Sequence, residues 1–130
     1  MYTYIIKEII KIVDGDTVDL LIDLGFGLCL KQRVRLYDID APEISTKDLQ
    51  EKKFGLECKE YLTEWLSKQS VLSIRTYKDD KYGRILGQIF GDNDVCINDL
   101  MVNDGYCWIY DEKNRTKDLQ ILLERRKNNI

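Results

Sequence analysis

At 130 residues, with 44% apolar and 33% charged side chains, the chain has the size and composition of one globular domain spanning 1–130. Its net charge of −3 argues against a protein that grips nucleic acid by overall electrostatics, though a local phosphate-binding face remains open, and the absence of histidine excludes imidazole from any acid–base step. Four scattered cysteines, Cys29, Cys58, Cys96 and Cys107, contain no CxxC pair; they give little support to a zinc or iron–sulfur centre and read as reduced, mostly buried thiols.

In chain order, residues 4–13 (YIIKEIIKIV) are interrupted by Lys7 and Glu8, too soon for a membrane span or a secretory core, so a cytoplasmic protein without membrane attachment is expected. Their periodicity allows a helix, but the isoleucine content and the following Asp14-Gly15 favour a strand. Further strands follow up to Leu36, separated by turns at Asp14-Gly15 and at Gly25 and Gly27. From about Lys53 to Lys68 the apolar positions shift to helical spacing through Phe54, Cys58, Tyr61, Leu62, Trp65 and Leu66. Residues 71–77 and 83–90 read as two strands joined by a polar link. A short helix over Ile97–Asp104 ends at Gly105, and a last helix runs from about Thr116 to Asn128. This order predicts a mainly β, α+β fold: a small antiparallel five-stranded barrel of the OB-fold type with three helices.

Chemistry concentrates in a few places. Asp16 in VDGDTV and Asp40 in YDIDAPE come from different strands, and converging carboxylates with backbone carbonyls are the oxygen donors a hard cation requires: Ca²⁺ first, with Mg²⁺ or Mn²⁺ as alternatives. Taken alone, Asp-Gly between strands is an ordinary hairpin turn. Arg35 and Arg84 each present a permanently charged fork that matches phosphate oxygens, though singly each reads as a surface arginine. Arg33 shares the face of Arg35, and periodicity does not separate their roles. Pro42 stiffens the turn that projects Glu43, a carboxylate able to orient a metal-bound water or take its proton. Asp38 alternates with Asp40, which would place it on the same face as a further negative charge.

Three stretches together resemble a staphylococcal (micrococcal) nuclease-like domain: Asp14-Gly15-Asp16-Thr17, Arg35-Leu36 through Asp40-Ala41-Pro42-Glu43, and Asp80-Lys81-Tyr82-Gly83-Arg84, in the family's order from about Ile9 to Tyr110. The resemblance implies calcium-dependent hydrolysis of phosphodiester bonds in DNA or RNA with low sequence specificity. It makes Asp16, Asp40 and the Ala41 carbonyl the metal ligands, Arg35 and Arg84 the phosphate clamp and Glu43 the group acting on water. Tyr82, Trp108 and Tyr110 would contact the nucleotide, and stacking on such rings suits single-stranded or frayed DNA or RNA. A monomer is expected. Two other readings compete: a non-catalytic module that binds nucleic acid or protein, in which the metal and arginine positions are typically degraded, and calcium as a purely structural ion. All five key positions are present, which favours the enzyme.

Overall fold

The computed structural model describes residues 2–77, 83–111 and 117–128. The aliphatic first third forms three antiparallel strands: β1 (Tyr2–Asp14), β2 (Thr17–Gly25) and β3 (Leu28–Leu36). A two-residue strand β4 (Ile39–Asp40) and helix α1 (Leu49–Ser67) follow. Strands β5 (Ser73–Thr76) and β6 (Ile85–Phe90) then lead to helix α2 (Ile97–Asn103), the short strand β7 (Trp108–Ile109) and helix α3 (Leu119–Asn128). Among the described residues no helix is long and apolar enough to cross a membrane.

The barrel closes in the order β1-β2-β3-β6-β5, with β5 paired back to β1. It departs from the fully antiparallel barrel expected, because β3 and β6 run parallel, Val34 beside Ile85 and Leu36 beside Gly87. The intervening α1 and β5 return the chain to the same end of the barrel, so the closing strand re-enters in the direction of β3. Val18, Leu20, Ile22, Val34, Leu36, Ile74 and Ile89 fill the interior, with Leu62 of α1 and Met101 of α2 packed on it, all at most 1% exposed.

Helix α1 begins earlier than its apolar period suggests. Asp48 caps it by accepting the Gln50 and Glu51 N–H groups at 3.0 and 3.2 Å, adding a first turn whose Leu49 is exposed. Helix α3 begins later than expected, where Asp118 accepts the Gln120 N–H at 2.9 Å. Gly105 ends α2 at φ 82°, as expected. Beyond α1, the Asp92 carboxylate accepts the Ser70 and Val71 N–H groups, and these bonds hold it below the usual carboxylate range. A lowered folded pKa adds stability above the unfolded value and loses it as pH falls through the folded one. Asp92→Ala is therefore expected to lower Tm at about pH 7, with the difference from the parent shrinking as pH falls below the ordinary carboxylate range, as a Tm series against pH would show.

The parallel seam has its own clamp. Asn98, 1% exposed, accepts the Ile89 N–H at 3.2 Å and donates to the Tyr37 and Gly87 carbonyls, each at 3.1 Å. It thereby ties α2 to β6 and to the turn that leaves β3. Asn98→Ala strands these buried partners and is expected to cost about 2–3 kcal/mol. Thermal unfolding followed by circular dichroism would show a Tm lower by several degrees.

Candidate active site

The Asp14-Gly15-Asp16-Thr17 sequence closes the β1–β2 hairpin: Asp14 pairs with Thr17, leaving Gly15 and Asp16 as the two turn residues. The Asp16 carbonyl accepts the Leu36 N–H at 2.8 Å, and Thr17 lies opposite Arg35. Gly15 has no room for a side chain, since a Cβ there would lie 2.3 Å from the Cys58 sulfur. The turn thus rests directly on α1, with Asp16 aimed at the end of β3.

Four of the predicted positions come together here. Asp16 and Asp40, each 9% exposed, face the Arg35 guanidinium. Its Nη2 donates to Asp40 Oδ1 at 2.7 Å, and its Nη1 lies 3.4 Å from Asp16 Oδ2. The same Asp16 oxygen accepts the Ala41 N–H at 2.9 Å, while its other oxygen accepts the Thr17 hydroxyl at 3.0 Å. Strand β4 is held by β7, with Asp40 opposite Trp108, so the two carboxylates come from segments fixed by separate sheets.

Burial and crowding disfavour the charged carboxylates here. Burial pushes the Asp40 carboxyl above its ordinary range, against the pull of Lys117 and Arg35. Asp14 is pushed up to about 7 by burial and by its hydrogen bond and proximity to Asp16. Lys117, 3.8 Å from Asp40 Oδ2, is a second cation at the site. Nothing in the local sequence singled it out, because it reaches the site from just before α3. Among the described residues no group of three His, Cys, Asp or Glu side chains forms a ready cage for a metal. The oxygen-only donors of two converging carboxylates nonetheless suit a hard divalent cation supplemented by carbonyl and water ligands.

Glu43 sits at the exposed end of the turn, and its N–H donates to Glu51 Oε2 at 3.1 Å. Gly55 of α1 allows that turn to lie against the helix, since a Cβ there would fall 2.7 Å from the Pro42 carbonyl oxygen and 2.9 Å from that of Glu43. The sequence shows Gly55 only as an isolated glycine inside a helix. Arg84 is half-buried immediately before β6, the strand that lies beside β3. Tyr82 lies outside the described residues, as do Asp80 and Lys81 of its motif.

The aromatic positions divide. Tyr110 is 48% exposed, and its N–H donates to the Asp38 carbonyl at 2.9 Å. Trp108 is 3% exposed, packed with Phe54 and Leu122, and its indole N–H donates to the Asp118 carbonyl at 3.0 Å. That burial leaves no ring face for a base, so Trp108 anchors α3 instead of contacting a nucleotide. Asp38 does not join Asp40. It occupies a turn at φ 65°, a conformation aspartate tolerates, and lines a separate groove with Tyr37, Gln88 and Asp99. Arg33 and Arg35 also part: Arg33 forms an exposed fork with Asp19 at 2.8 and 3.1 Å, which leaves Arg35 alone facing the site.

A model of the family described as "Staphylococcal nuclease homologue" matches residues 33–129. Similar curated proteins include an "Uncharacterized endonuclease" of Escherichia coli, 28% identical over 88% of this chain and 67% of its own length. "Protein ParB" of Escherichia coli is 33% identical and the "Micrococcal nuclease" of Shigella flexneri 32% identical, each over 88% of this chain and 63% of the relative. The chain therefore spans about two thirds or less of the length of these relatives. With the hairpin turn, Arg35 and Asp40 in place on the closed barrel, the chain belongs to the staphylococcal nuclease homologue family.

Proposed function

We propose that the chain is a metal-dependent nuclease that hydrolyses phosphodiester bonds in DNA or RNA with little sequence preference, with Ca²⁺ as the expected ion. The supporting observation is the convergence of buried Asp16 and Asp40, from separate sheets, on one arginine. Two such carboxylates aimed at one point supply the charged oxygen donors a hard cation takes, beside an arginine placed to meet a phosphate. Asp16, Asp40 and the Ala41 carbonyl would hold the ion, which when bound would polarise a phosphate oxygen and acidify a water.

The chain's own groups do the rest. Arg35, anchored through its Nη1 to the Leu36 carbonyl at 3.1 Å, presents fixed positive charge where the phosphoryl group gains negative charge. Arg84, entering from the neighbouring strand, would bind a second phosphate oxygen. Glu43, with its carboxylate in solvent, would orient the attacking water or accept its proton. Tyr110 offers an exposed ring on which a base can stack, which favours single-stranded or frayed substrate.

The test is cleavage of denatured and duplex DNA and of RNA across Ca²⁺, Mg²⁺ and Mn²⁺, with chelator as control. Metal-dependent cutting that the chelator abolishes is the expected result. Intact substrates under every metal, or binding unaffected by chelator without cleavage, would overturn the reading.

A further inference from the structure

The two cysteines beneath the carboxylate pair are closer than packing alone requires. Cys58 of α1 and Cys107, which immediately precedes β7, are both 0% exposed, with their sulfurs 3.2 Å apart. Each adjoins one half of the site. The Cys58 thiol points at the Gly15 carbonyl, 3.9 Å away in the turn that carries Asp16. Cys107 is bonded in sequence to Trp108, the residue opposite Asp40, and its N–H is held by the Met101 carbonyl at 3.0 Å.

We propose that Cys58 and Cys107 are a disulfide-forming pair, converted in an oxidising compartment into a covalent staple beneath the Asp16 and Asp40 segments. Reaching the disulfide distance requires about 1 Å of approach, within reach of small side-chain rotations. The chemistry is exchange with a small-molecule disulfide such as oxidised glutathione. One cysteine thiolate attacks a glutathione sulfur and expels one glutathione thiolate. The second cysteine then attacks the protein-side sulfur and expels the other. Two protein thiols are oxidised, one external disulfide is reduced, and each cysteine proton passes to a departing glutathione or to solvent. Because both sulfurs are sealed from solvent in the folded core, the exchange takes place while the chain folds. Once folded, the pair is inert in either state.

The bridge would close a long loop from α1 to β7, crossing β5, β6 and α2. Loops of this length gain substantial stability from closure, expected here as a Tm rise of about 5–10 °C. Cys29 is exposed and Cys96 buried, and neither has a sulfur partner among the described residues.

The experiment uses the Cys29→Ser chain, to remove the exposed thiol, refolded from denaturant in mixed reduced and oxidised glutathione. The expected product is lighter by two hydrogens and yields a peptide linking Cys58 to Cys107. Its Tm should exceed that of the reduced protein, and Cys107→Ala in the same background should lose the difference. If both thiols still titrate in denaturant after oxidative refolding, or the bond joins another pair, the pairing is overturned. A correct bond with no rise in Tm overturns its role as a staple.

Discussion

Arg35→Ala is expected to lower kcat by about 10³-fold or more and to cost the metal-free fold about 3–5 kcal/mol. Both effects follow from one guanidinium, 13% exposed, set between two buried carboxylates. In the proposed reaction it would offer fixed positive charge to the phosphoryl group, so its removal should act on kcat more than on KM. In the resting protein it is the counter-charge that Asp16 and Asp40 share, while Lys117, 3.8 Å from Asp40 Oδ2, offsets Asp40 alone. Its loss therefore strips Asp16 of its ion-pair partner and leaves Asp40 with Lys117. The two roles separate on adding divalent cation: Ca²⁺ should restore much of the lost Tm in Arg35→Ala but little of the lost turnover. Arg35→Lys should recover stability better than activity, since an ammonium keeps the charge but not the fork. Thermal unfolding with and without Ca²⁺, beside single-turnover cleavage, checks all three statements. Equal Tm values for parent and Arg35→Ala in chelator would contradict the electrostatic account.

How much of this was legible in the sequence depends on the distance over which the information is written. The β2 and β3 strands and the ends of α2 are local matters of branched residues, turn glycines and a cap, and they stand where the sequence placed them. The first strand looked part helical for a physical reason. Register shifts fall between Ile6 and Glu8, between Ile9 and Lys11 and again between Ile12 and Asp14. Each bulge adds a residue, so the core-facing isoleucines Ile6, Ile9 and Ile12 recur every third position instead of every second. The two-stranded β4–β7 sheet was not legible, because strands of two residues carry no periodicity and are defined by their partner.

The site divides in the same way. Asp16, Arg35 and Asp40 were legible as motifs, and the structure brings them together. Lys117, Asn98 and Gly55 were not, since each is defined by a contact from a distant part of the chain. Trp108 was misplaced because an aromatic cluster does not say which of its rings is covered. Phe54 of α1 and Leu122 of α3 cover that one. Asp38, placed by alternation beside Asp40, was turned away by a left-handed backbone conformation that alternation cannot register.

Glu43→Gln should lower kcat by about 10²–10⁴-fold with an unchanged Tm, if the carboxylate acts on the attacking water. The unchanged Tm follows from its position: the side chain is exposed, and the turn is held by the Glu43 backbone N–H on Glu51 and by the close approach of Gly55. Gly55→Ala should produce the opposite pattern. A methyl 2.7 Å from the Pro42 carbonyl oxygen cannot fit without moving the turn. Both Tm and kcat should therefore fall, the latter by about 10-fold or more if the shift carries Glu43 away from the attacking water. The comparison separates chemistry from positioning. Combining the two substitutions should give little more loss of kcat than Glu43→Gln alone, because Gly55 matters to turnover only through the carboxylate it positions. If Gly55→Ala lowers kcat further in the Glu43→Gln background, the helix contact also supports Asp40 through the same rigid turn. Rates and Tm values for the two single variants and the double variant decide between these outcomes.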